Sequence, residues 1–185
     1  VSLLPEPAPD FDDPLGLLSA CHLRIRQNCE LLIRLAQHLT RDEPDSPVRE
    51  AAASVHRYFA LAGRHHHEDE EQDLFPLLRA DPELAPLIET LTREHQSQNA
   101  AWMLLAPGLA DPESIEDREA FARTARAFAR DNLLHLETEE RFILPRAEAL
   151  LDPAQTRILG EAMARRRGIA SPLSLAESQS TQRNR

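Results

Sequence analysis

His66-His67-Glu68-Asp69-Glu70-Glu71-Gln72-Asp73-Leu74-Phe75-Pro76 aligns without a gap on His135-Leu136-Glu137-Thr138-Glu139-Glu140-Arg141-Phe142-Ile143-Leu144-Pro145. Each stretch has a His, a Glu four residues on, a second Glu, two spacers, two apolar residues and a Pro. On a helix, residues four apart share a face with Cβ atoms about 6 Å apart. Each stretch can therefore aim one imidazole and one carboxylate at the same point, and two such elements facing each other would make a metal cage.

The rest of the chain reads as helices of matching length. One apolar stripe runs Leu15, Leu18, His22, Ile25, Cys29, Leu32, Ala36, Leu39, with spacings that fit a helix face. A second runs Val48, Ala52, Val55, Phe59, Ala62, His66, Glu70, Leu74, Leu77, with Ser46 expected as N-cap and Pro47 as first helical residue. A third runs Leu84, Ile88, Leu91, His95, Asn99, Trp102, Leu105 and is expected to stop at Pro107-Gly108. The fourth runs Phe121, Ala125, Phe128, Asn132, His135, Glu139, Phe142, Arg146, and Asp152-Pro153 opens a short fifth helix ending near Arg167. Short breaks between long amphipathic helices predict an all-α fold, an antiparallel up-down-up-down four-helix bundle with a short C-terminal fifth helix. Residues 1–13 are expected to form an extended lead-in, 14–168 the domain, and 169–185 a disordered tail. Pro76 and Pro145 should kink or loosen the last turns of their helices.

Composition agrees. The chain has 185 residues, few glycines and aromatics, and a formal net charge of −10, which argues against a nucleic-acid or anionic-membrane binder. Cys21 and Cys29 fall eight residues apart on one helix, about 12 Å between Cα atoms and beyond disulfide reach. Reduced thiols, with neither a secretory signal nor a spanning apolar run in view, predict a cytoplasmic protein.

His22, His66, Glu70, His95, His135 and Glu139 all stand where the stripes call for apolar core residues. A buried carboxylate without a partner costs several kcal/mol, so it must be paired, protonated or bound to a cation. The stripes carry no matching set of basic residues; Arg146 alone falls near an end. Four imidazoles and two carboxylates exceed one tetrahedral zinc site and suit two metal ions with each Glu bridging. Mixed N/O donors fit iron, with manganese or zinc as alternatives. His67 with Glu71 has the same spacing as His66 with Glu70. The phase of the stripe and the alignment of His66 on His135 favour the latter pair. His65, Glu68 and Asp69 are expected to face solvent or lie behind the ligands, and Glu137 and Glu140 to point away from the core. Tyr58 and Trp102 are expected to be packing residues, and Asn99 and Asn132, one turn from His95 and His135, to line the site or hydrogen-bond behind the ligands.

The stretch from His66 to Pro76, its copy at His135 to Pro145, His22 in Cys-His-Leu-Arg-Ile-Arg and His95 in Arg-Glu-His-Gln resemble the hemerythrin-like family, the HHE cation-binding domain, over roughly Leu15 to Leu150. The resemblance implies a four-helix bundle around a non-haem di-iron centre. It implies a protein that carries or senses O2, senses iron or redox state, or acts on nitric oxide and peroxide. The oxygen-carrying hemerythrins supply a second histidine four residues after the one on the third helix, where this chain has Asn99. That departure argues against reversible O2 carriage and for redox turnover or sensing. The expected function is a di-iron protein that binds or reacts with O2, NO or peroxide. The rivals are a peroxide-decomposing or ferroxidase-type oxidoreductase and a partner-binding bundle with a vestigial site. Expected partners are a small diatomic ligand or peroxide, with a homodimer as an option.

Overall fold

The computed structural model describes residues 9–169. Among the described residues five longer helical elements are present, α1 (Pro14–Leu39), α2 (residues 46–78), α3 (Ala85–Ala110), α4 (residues 118–150) and α5 (Pro153–Arg166), with a short 3-10 helix at Pro112–Ser114 between α3 and α4. No strand occurs among the described residues, and no described helix is long and apolar enough to cross a membrane. The expected tail beyond Ile169 and most of the lead-in lie outside the described residues. The described part of the lead-in is folded back in a turn rather than extended, with Asp13 N donating to Asp10 O. Phe11 there presses its carbonyl onto α5 at Gly160, where a Cβ would stand 1.9 Å from that oxygen.

Aspartate sets the start of four helices. Asp13, Asp45, Asp117 and Asp152 each accept a backbone N–H of the first turn, which supplies one of the donors a helix start leaves without an internal partner. The cap of α2 is thus Asp45 rather than Ser46, which is already helical, with Pro47 inside the first turn. At α5 the cap is reciprocal, Gln155 reaching back to the amide of Asp152. α3 runs through Pro107 and Gly108 to Ala110 instead of stopping at them. Gly108 is helical and makes room for a neighbour: a Cβ there would lie 2.9 Å from Ile115 and 3.1 Å from Phe121.

Two elements contain wide π-helical turns. α2 has them at Tyr58–Gly63 and Glu70–Leu74, and α4 at Glu139–Ile143. Two of the three precede a proline, Pro76 or Pro145, by two residues. Proline cannot donate to the carbonyl four residues back and collides with it, and a wider turn removes the conflict without ending the helix. Each wide turn takes up an extra residue and rotates the part of the helix beyond it. The core face therefore continues through Leu78 and Ile143 rather than Leu77 and Phe142, and Phe142 and Arg146 are exposed.

α1 and α3 both lie along residues 118–138 of α4, the first segment of α2 packs on α1 and α3, and α5 crosses α1 and the middle of α2. The buried apolar side chains form two clusters. One contains Ile25, Phe59, Leu105 and Phe128; the other contains Leu18, Leu74, Leu91 and Ile143. On every long helix the apolar residues before and after the buried polar ones go to opposite clusters, so the polar residues form a belt between two greasy layers.

Candidate metal centre

His22 stands between Leu18 and Ile25 on α1, His66 and Glu70 between Phe59 and Leu74 on α2, His95 between Leu91 and Leu105 on α3, and His135 and Glu139 between Phe128 and Ile143 on α4. None of the six is more than 2% exposed. Both carboxylates open a wide turn, at Glu70 and at Glu139. The structure brings all six together. His66 Nε2 lies 3.4 Å from Glu70 Oε1, His95 Nε2 3.4 Å from Glu70 Oε2, His22 Nε2 3.4 Å from Glu139 Oε2, and His135 Nε2 3.0 Å from Glu139 Oε1. They form two overlapping donor groups, His22/His66/Glu70/Glu139 and Glu70/His95/His135/Glu139, and the donor atoms of each lie within 4.8 Å of one another. Glu70 and Glu139 belong to both.

Three of the four rings are held from behind. His22 Nδ1 is 3.2 Å from Glu140 Oε1, His95 Nδ1 2.7 Å from Glu71 Oε1, and His135 Nδ1 2.8 Å from Glu94 Oε2. An ionised carboxylate only accepts, so each Nδ1 carries the hydrogen and a neutral ring turns a lone pair inward at Nε2. The Nε2 atoms of His95 and His135 then face each other at 2.8 Å. Two lone pairs at that distance repel unless a proton or a cation lies between them.

The inward-facing atoms also lack hydrogen bonds. His22 Nε2, both ring nitrogens of His66, Glu70 Oε2 and both carboxylate oxygens of Glu139 are buried without a partner. Groups of this kind cost too much to bury unless something satisfies them. Protonation alone answers the need unevenly. Burial and the adjacent Glu139 push the Glu70 carboxyl well above the usual carboxylate range. Burial would raise Glu139 as well, but His135 beside it outweighs that and holds it below the range. Burial keeps His22 and His66 neutral, the form that ligates metal. The donor set therefore fits cations: four inward imidazoles, two inward carboxylates, and Nδ1 atoms tied back to fix three of the rings.

Residues around the six differ from expectation in three places. Glu140 is two-fifths exposed, yet its carboxylate turns back onto His22. Asp69 is fully buried and is bound by Arg166 and Arg167 from the end of α5. Asn99 is exposed, and the buried amide next to it is Gln98. His67 belongs to neither donor group but stacks on His95, ring centroids 3.9 Å apart. It lines a small cavity with Phe59, Asn99, Trp102, Phe128 and Asn132. Tyr58 donates to the Cys21 carbonyl, and Trp102 packs against Phe59 and Phe128, as packing residues should. The signal for two of the three backing carboxylates was present in the repeat, where Glu71 and Glu140 follow Glu70 and Glu139; Glu94 lies outside it.

Comparison with known proteins adds two findings. The model of the hemerythrin HHE cation binding domain matches residues 13–147. An uncharacterized protein of Haemophilus influenzae (strain ATCC 51907 / DSM 11121 / KW20 / Rd) is 26% identical over 139 residues, covering 75% of this chain and 81% of that protein.

Proposed function

The chain belongs to the hemerythrin HHE cation-binding domain family, and from that premise we propose that residues 14–168 form an antiparallel up-down-up-down four-helix bundle holding a non-haem di-iron centre that binds or reacts with O2, NO or peroxide. The alternation of the two apolar clusters along successive helices supports the bundle topology: each long helix crosses the polar belt in the sense opposite to the one before it. In this reading His22 and His66 hold one ion and His95 and His135 the other. Glu70 and Glu139 serve both and offset their charge. Iron supplies redox chemistry toward small oxygen and nitrogen ligands, and mixed imidazole and carboxylate donors suit it.

The observation that carries this reading is the set of buried, inward-facing nitrogen and oxygen atoms without hydrogen-bond partners at the one level where four helices meet. Its test is metal analysis by mass spectrometry on protein purified without added metal, followed by His66→Ala and Glu139→Ala. Two irons per chain are expected, and fewer in both variants; unchanged stoichiometry in both would remove the assignment. A second reading, oxidoreductase turnover of peroxide or Fe(II), is favoured by Asn99, which is exposed and brings no further imidazole to the centre. Optical spectra of the iron-loaded protein separate the two. A stable adduct with O2 or NO supports binding or sensing; decay of added peroxide with release of product supports an enzyme.

A further inference from the structure

The sequence repeat makes the surroundings of the centre nearly two-fold symmetric, and the symmetry fails at one point. His22 corresponds to His95, and His66-Glu70-Glu71 to His135-Glu139-Glu140. Glu71 of α2 backs His95 of α3, and its counterpart Glu140 of α4 backs His22 of α1. Glu94, the residue before His95, backs His135. The counterpart of Glu94 is the residue before His22, which is Cys21. The ring it should back, His66, has no partner at Nδ1.

The charges deepen the difference. Among the described residues neither Glu71 nor Glu94 has an arginine partner, so two full negative charges stand behind the His95 and His135 rings. On the other side, the second oxygen of Glu140 is bound by Arg26 at 2.8 Å. Asp69, which lies near Cys21, is itself bound by Arg166 and Arg167. Cys21 supplies no carboxylate at the position that matches Glu94. A carboxylate behind an imidazole makes the ring a stronger donor and fixes its orientation, and losing one such partner typically weakens metal binding by about 10–100-fold. One donor pair therefore has two such partners with undiminished charge. The other has one, shared with an arginine.

We propose that the two cation positions are unequal, with the His95/His135 position the tighter and the first to fill, and Glu71 and Glu94 acting as the positioning residues that make it so. This rests on the two-position reading above. The experiment is a calorimetric titration of cation-free protein with Co2+ at constant pH, on the unaltered chain, Glu94→Gln and Glu140→Gln, with circular dichroism to show that all three are folded. Both substituted residues are half-exposed, so neither change opens the core. The unaltered chain should bind two ions in separate steps. Glu94→Gln should weaken the tighter step by about 10–100-fold, so that the steps converge. Glu140→Gln should weaken only the weaker step and spread them apart. Two ions with one common affinity, or a Glu94→Gln effect confined to the weaker step, would overturn the inequality while leaving the two-cation centre intact. Fewer than two ions in the unaltered chain would overturn the two-position reading beneath it.

Discussion

Asp69 has no exposed surface, and its carboxylate is held by two guanidinium groups that arrive from the last turn of α5, nearly a hundred residues on. Arg166 also binds Asp73, so the end of α5 is pinned to α2 on both sides of Glu70. The pair of arginines makes the burial of Asp69 tolerable, and removing them leaves a buried charge uncompensated. Breaking such a pair from one side costs about 3–5 kcal/mol. Arg166→Ala with Arg167→Ala should therefore lower the free energy of denaturant unfolding by about that much. Arg166→Ala alone should cost less, because Arg167 still donates to both oxygens of Asp69. A double variant as stable as the original in urea would show that Asp69 is not confined as described. Local spacing reveals none of this. The six inward residues were legible because each breaks the apolar stripe of its own helix. Glu140 was expected to point away from the core, and Asp69 to face solvent or lie behind the ligands; their partners lie on other helices, and a helix read by itself does not say which neighbour covers it.

At the scale of the element, the wide turns at Glu70–Leu74 and Glu139–Ile143 explain where the stripes drift. A helical stripe assumes a constant turn. Pro76 and Pro145 were expected to loosen the last turns. They instead coincide with turns one residue wider, and the helices then continue as Phe75–Leu78 and Leu144–Leu150. Leu77 and Phe142 lose the core face to Leu78 and Ile143 for that reason, and Ala62 loses it to Gly63 within the wide turn at Tyr58–Gly63, whereas His66, Glu70, His135 and Glu139 are buried as the spacing predicts. The wide turns begin at the two shared carboxylates, so they set the angle at which those groups enter the belt. Pro76→Ala restores an amide hydrogen and lets the turn tighten to the ordinary form. The variant should be at least as stable as the original without cations, since Pro76 is exposed. It should bind Co2+ more weakly, because Glu70 is swung relative to His66 and His95. Unchanged Co2+ affinity would mean that the wide turn does not aim Glu70.

Over the whole molecule, the arrangement is two apolar layers separated by a polar belt, with each long helix contributing residues to all three. The all-helical character and the position of the belt followed from the sequence, because the same interruption recurs once per helix. The division of the core into two clusters did not, since assigning Leu18 and Leu74 to one layer and Ile25 and Phe59 to the other requires knowing how the helices are set beside each other. This architecture makes stability depend on what fills the belt. Without cations, the chain must hold two carboxylates and four imidazoles in its interior, with Glu70 pushed toward its protonated form and several inward nitrogen and oxygen atoms left without hydrogen bonds. A ligand that binds only the folded chain stabilises it by RT ln(1 + [L]/Kd), about 2.7 kcal/mol at a hundredfold excess over Kd. For a domain of this size each kcal/mol moves the midpoint of thermal unfolding by about 2–4 °C. Stripping the protein with a chelator should thus lower Tm by roughly 5 °C or more, and adding back the metal should restore it. His66→Ala should shrink that difference, because its cation-loaded form has lost a donor while its cation-free form has lost a buried, partnerless ring. Differential scanning calorimetry with and without chelator on the two chains gives the four midpoints. Equal shifts in both would mean that the belt is satisfied without His66.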